Sequence, residues 1–81
     1  MKFIWNSSAD EDRLDFGLIQ SEVDSLLEGE IRANISIPLN KSRGRCEING
    51  TLPDGRRVCI EYVEDSGTIR IQTVEVNVQK H

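Results

Sequence analysis

Side chains with ready-made chemistry are scarce in this chain of 81 residues, which has one histidine and two cysteines. The histidine is His81, the last residue, and a catalytic imidazole needs a fixed geometry that a chain end does not provide. Two cysteines and one histidine fall short of the four ligands of a structural zinc site, so neither metal nor cofactor is expected. No Gly-rich phosphate loop or nucleophile elbow occurs. Aromatic residues are limited to Phe3, Trp5, Phe16 and Tyr62, few for a surface that stacks single-stranded nucleic acid. No apolar run approaches the roughly 18–20 residues of a membrane span. The opening Met1-Lys2-Phe3-Ile4-Trp5 turns polar at Asn6, too early for a secretory signal, so a cytoplasmic location is expected. The four Asn-X-Ser/Thr sequons, at Asn6, Asn34, Asn40 and Asn49, then carry no glycan.

What is present describes an ordinary folded chain, 37% hydrophobic and 30% charged with a net charge of −4. Its length bounds it to a single compact domain spanning residues 1–81. The charge is unevenly distributed. Residues 1–30 hold two basic and eight acidic side chains, a balance of −6, and residues 31–81 balance at +2. The acidic total argues against tight binding to a phosphate backbone. It leaves room for a local basic site in the second half.

Residues 2–6 read as a short strand. Ser8 with Glu11 has capping-box spacing and predicts a helix over residues 9–16, stopped at Gly17. A second helix starts at a Ser21 cap and ends at Gly29, with Leu18, Ile19, Val23, Leu26 and Leu27 on its apolar face. From Ile31 to Leu39 apolar residues alternate with polar ones, a half-buried strand that Pro38 marks as an edge or an end. A turn over residues 40–43 follows.

The stretch from Arg43 to Val63 can be read in register. Pro53-Asp54-Gly55 fits a three-residue hairpin loop with a Gly bulge, which sets Leu52 opposite Arg56. Gly44, Cys46, Ile48, Gly50 and Leu52 then share an inner face with Val58, Ile60 and Tyr62. Arg43, Arg45, Glu47, Asn49 and Thr51 share the outer face with Arg57, Cys59, Glu61 and Val63. The two cysteines point to opposite faces and cannot bridge. Glu47 and Glu61 stand opposite each other and require a cation. A four-residue turn, Glu64-Asp65-Ser66-Gly67, pairs Val63 with Thr68 and places Arg70 opposite Glu61. The alternation slips at Gln72-Thr73, the pattern of a β-bulge. Gln79-Lys80-His81 reads as a frayed tail.

The predicted fold class is therefore α+β: a short N-terminal strand, two helices, then a four-stranded antiparallel meander, with the helices on one face of the sheet. The open face would display Arg43, Arg45, Arg57, Arg70, Glu47 and Glu61. Clustered guanidinium groups can hold phosphate, which makes RNA one candidate ligand. A protein partner is the other, with Asp10, Glu11, Asp12, Arg43, Arg57 and Glu61 as candidate contacts. The Val74-Val76-Val78 run invites a homodimer through the last strand. An acidic inhibitor or immunity-type protein, binding a basic partner through its first thirty residues, is a further reading.

Several short motifs resemble the RelE-like toxin superfamily, in particular BrnT-type toxins and related small uncharacterised proteins. They are Phe3-Ile4-Trp5, Phe16-Gly17-Leu18 before Ser21-Glu22-Val23, Gly50-Thr51 with Asp54-Gly55-Arg56, and Thr68-Ile69-Arg70-Ile71. The resemblance covers residues 1–74. It implies a toxin–antitoxin ribonuclease, neutralised by an antitoxin, with Arg45, Arg56, Arg57 and Arg70 as candidate catalytic residues. The chain departs from the pattern in its acidic charge and in carrying Val74-Glu75 where a second arginine is expected. The leading expectation is thus a RelE/BrnT-like protein with weak or no catalytic activity that works through a protein partner.

Overall fold

The helical layer begins at Asn6, whose side-chain Oδ1 accepts the Ala9 backbone N–H at 2.7 Å. This cap, not Ser8, starts helix α1 (Ser7–Phe16), because Asn6 has the extended backbone that an N-cap requires. In this computed structural model the described residues are 1–33, 37–40 (backbone only) and 44–77. Expectations for residues 34–36, the turn at 41–43 with Arg43, and the tail at 78–81 lie outside them. Helix α1 ends as expected at Gly17, which is left-handed at φ 64°.

Helix α2 (Gln20–Arg32) corrects the expected boundaries at both ends. Its N-cap is Ile19, with no side-chain cap bond, and it runs through Gly29 so that Ile31 packs on the core from a helix instead of opening a strand. Magnitudes explain why. A missing cap and an internal glycine cost about 1 kcal/mol each. Val23 and Leu27 are fully buried, and each such side chain contributes about 1.5–3 kcal/mol. Burial wins. Ile19, placed by periodicity on the apolar face, is instead 56% exposed.

The strands are β1 (Lys2–Trp5), β2 (Ile37–Asn40), β3 (Arg45–Thr51), β4 (Arg57–Asp65) and β5 (Thr68–Asn77). They form one sheet in the order β1-β5-β4-β3-β2. The sheet is mixed, not wholly antiparallel, since β1 pairs parallel with β5, Phe3 opposite Ile69 and Trp5 opposite Ile71. Pro38 lies on the edge strand β2, opposite Cys46, in the kind of strand where a sheet tolerates proline. The last strand is flanked by β1 over Thr68–Ile71, which leaves Val74 and Val76, part of the run expected to pair with a second copy, beyond the end of β1. Beyond that, the Asp12 carboxylate accepts the Val74 N–H at 3.3 Å.

The β3–β4 register is the one the turn chemistry predicts, with Arg45 opposite Val63 and Thr51 opposite Arg57. Gly55, at φ 94°, closes the loop by donating its N–H to Leu52. The β4–β5 register differs from expectation. A two-residue turn at Ser66-Gly67, both at positive φ, pairs Asp65 with Thr68. Arg70 therefore faces Val63 and not Glu61. The shift is by two residues, which keeps every side chain on its face and is invisible to alternation. The bulge falls where the alternation slips: Tyr62 faces Ile71, Glu61 faces Thr73, and Gln72 is the extra residue. Val74 thereby becomes buried.

Both helices cover the inner face, α1 on β5 and α2 on β3. Ala9, Leu18, Val23 and Leu27 meet Ile48, Val58, Ile60, Tyr62, Ile69 and Ile71 in one core. Trp5 closes the layer by donating its indole N–H to Asp24 Oδ1 at 2.8 Å. Burial raises the Asp24 pKa, and that hydrogen bond works in the opposite direction. At Gly50 the helix comes close: a Cβ there would lie 2.8 Å from both Leu26 methyl carbons.

Candidate functional site

Alternation along β3, β4 and β5 puts Arg45, Arg57 and Arg70 on the outer face together with Glu47, Glu61 and Glu75. Asp65 at the end of β4 and Lys2 on β1 share this face, so among the described residues four cations meet four carboxylates. Arg45 Nη2 donates to Glu61 Oε2 at 2.8 Å, a diagonal pair that supplies the cation required by the facing glutamates. Arg45 Nε is buried without a partner. Glu47 accepts the Cys59 thiol hydrogen at 3.1 Å. Burial, this bond and the charges of Glu47, Glu75 and Glu61 push the Cys59 pKa up to about 12. The thiol stays protonated at neutral pH and is a poor nucleophile. Cys46 is on the other face, and both cysteines are free.

Arg56 is not on this face. Its Nη1 and Nη2 donate to the Phe16 and Gly17 carbonyls at 2.6 and 3.3 Å, and its Nε donates to Asp54 Oδ2 at 2.7 Å. A cation on the last carbonyls of α1 offsets the negative end of the helix dipole. This arginine clamps the hairpin turn to the end of the helix. Of the four candidate catalytic arginines, Arg56 and Arg45 are held by internal partners, while Arg57 and Arg70 are exposed. Arg57 and Arg70 stand on adjacent strands about six residues apart, roughly 20 Å along the strand direction.

The candidate partner contacts are also divided. Asp10 pairs with Arg13 at 2.8 Å, Glu11 is exposed and Asp12 holds the Val74 amide. All three are on α1, whereas Arg57 and Glu61 belong to the opposite side of the sheet. Arg43 lies outside the described residues. Among the described residues no group of three or more His, Cys, Asp or Glu side chains could hold a metal ion, and no helix is long and apolar enough to cross a membrane.

A different surface emerges at the junction of the helices. Leu14, Phe16 and Ile19 are 65%, 41% and 56% exposed. A groove of about 490 Å³, of which none of these three is a lining residue, runs between the start of α2 and the β3–β4 turn, lined by Ser21, Glu22, Ser25, Leu26, Thr51 and Pro53. Sequence reasoning missed this surface, which shows only in the burial pattern: α1 buries only Ala9 fully and leaves Leu14 and Phe16 exposed. No family model, curated protein or solved structure matches the chain.

Proposed function

We propose that the protein is a non-catalytic binding module, of RelE/BrnT-like shape and cytoplasmic, that engages a basic protein partner through its helical layer. The carrying observation is that three exposed large apolar side chains, Leu14, Phe16 and Ile19, fall in one stretch of six residues within the acidic first thirty. Isolated exposed apolar residues are common, but three in one short segment with unpaired carboxylates near them in the chain suit recognition. Among the described residues Glu11, Asp15 and Glu22 form no ion pair. Their charge is open to an incoming cation.

The arginines support the absence of catalysis. Phosphate recognition relies on converging guanidinium groups, and here Arg56 serves a helix end and Arg45 serves Glu61. The experiment is incubation of the purified protein with single-stranded RNA, together with expression in bacteria. The expected result is intact RNA and normal growth, unchanged by Arg57→Ala or Arg70→Ala. RNA cleavage or growth arrest that either substitution relieves would establish the ribonuclease reading instead.

A further inference from the structure

We infer that the groove between α2 and the Pro53 turn is the anchor site for an apolar side chain of that partner, carried on an amphipathic segment flanked by Lys or Arg. This rests on the binding-module reading above and names where its contact energy is concentrated. Interfaces concentrate energy in a few desolvated pockets, and the rim supplies orientation and exclusion of water. The groove has that division. Leu26 and Pro53 provide apolar wall, Ser21, Ser25 and Thr51 provide short hydroxyl side chains, and Glu22 is the only ionisable lining residue among the described residues. Its volume, about 490 Å³, is within the range of pockets that bury a bound group.

Gly50 shapes the groove from beneath. Because it lacks a side chain, Leu26 settles against β3 with its methyl carbons where a Cβ would otherwise be. Any larger residue there would press Leu26 outward into the space that the anchor occupies. Ile19, the N-cap of α2 two residues before Ser21, is 56% exposed and adds apolar surface at the start of the helix.

Charge selects the occupant. Among the described residues no basic side chain lines the groove, and Arg56 is engaged with Asp54 and two carbonyls. Asp15 and Glu22 remain for a cationic flank. A second copy of this chain is a poor occupant, since its own exposed Leu14, Phe16 and Ile19 come with Glu11 and Asp15 and would set acid against acid.

The test is NMR titration of the whole labelled protein with two leucine–lysine peptides of about four helical turns. One has its leucines on a single face, and the other has the same composition scrambled. The amphipathic peptide is expected to shift the backbone amides of Ser21, Ser25, Leu26 and Thr51. Ser25→Gln narrows the groove from an exposed, helix-compatible position and is expected to weaken binding about tenfold, and Ile19→Ser is expected to weaken it in the same direction. Unchanged affinity in Ser25→Gln with a native spectrum, or shifts confined to Arg57 and Arg70, overturns the inference. Equal binding of the scrambled peptide through α1 removes the anchor site but keeps the acidic-layer reading. If neither peptide binds at low salt, both fall.

Discussion

Arg56 and Arg57 are neighbours in the chain, yet one holds two backbone carbonyls of the helical layer and the other extends from the far side of the sheet. The period of two separates them, and identical side chains acquire unrelated roles. Cys59 shows the same dependence on surroundings. Its thiol is held protonated by burial and by the glutamates around it. Glu47→Gln removes the charged acceptor at 3.1 Å, and the Cys59 pKa is expected to fall toward its ordinary value of 9.0. Peptide mapping of alkylation rates against pH checks this: the Cys59 rate should rise at pH 8–9 in the variant, and no change would refute the assignment.

At the level of elements, burial overrides local signals. Ser21 and Gly29 have the chemistry to delimit α2, but the helix extends past both because Val23, Leu27 and Ile31 find a sheet to pack on. The clamp at Arg56 joins α1 to the hairpin, so Arg56→Ala is expected to destabilise the protein by about 1 kcal/mol. Arg56→Lys should recover only part, because an ammonium cannot reach both carbonyls and the carboxylate in one plane. Denaturant midpoints measure both. The Asp54 pKa is lowered, first by the Arg56 backbone N–H and then by its side chain. Since the folded value lies below the unfolded one, this contribution is full above the ordinary value of 3.8 and disappears as pH falls through the folded value. In Arg56→Ala that acid-side dependence should shrink only in part, because the residue-56 backbone N–H, the larger cause, remains.

On the scale of the whole molecule the uneven charge becomes a layered one. The acidic first thirty residues form most of the helical layer, and the outer sheet face is balanced. A layer of one sign repels itself, and salt screens that repulsion over about 8–10 Å. Adding salt to about 0.5 M is expected to raise the melting temperature. The double variant Glu11→Gln, Asp15→Asn should melt higher than the parent at low salt and gain less from the addition. A parent that salt destabilises would mean that ion pairs such as Arg45–Glu61 dominate.

The amino-acid sequence by itself determined the β3–β4 hairpin, because a Pro-Asp-Gly loop and strict alternation together admit one register. It determined the bulge at Gln72-Thr73, because an apolar period that changes parity requires an inserted residue. The α+β class also followed from a change of period along the chain. Only the tertiary structure decided the β4–β5 pairing, since a shift of two residues leaves the alternation intact. It alone decided the seating of β1 against β5, a contact between the first strand and the last that no local pattern encodes. The same holds for the candidate site. Arg45 and Arg56 have the residue type of a phosphate site, but their partners, Glu61 and the carbonyls of Phe16 and Gly17, are distant in the chain. The groove at Leu26 likewise exists because Gly50 and Pro53 are brought from another strand to the start of α2, and a surface made by two distant segments has no signature in either one.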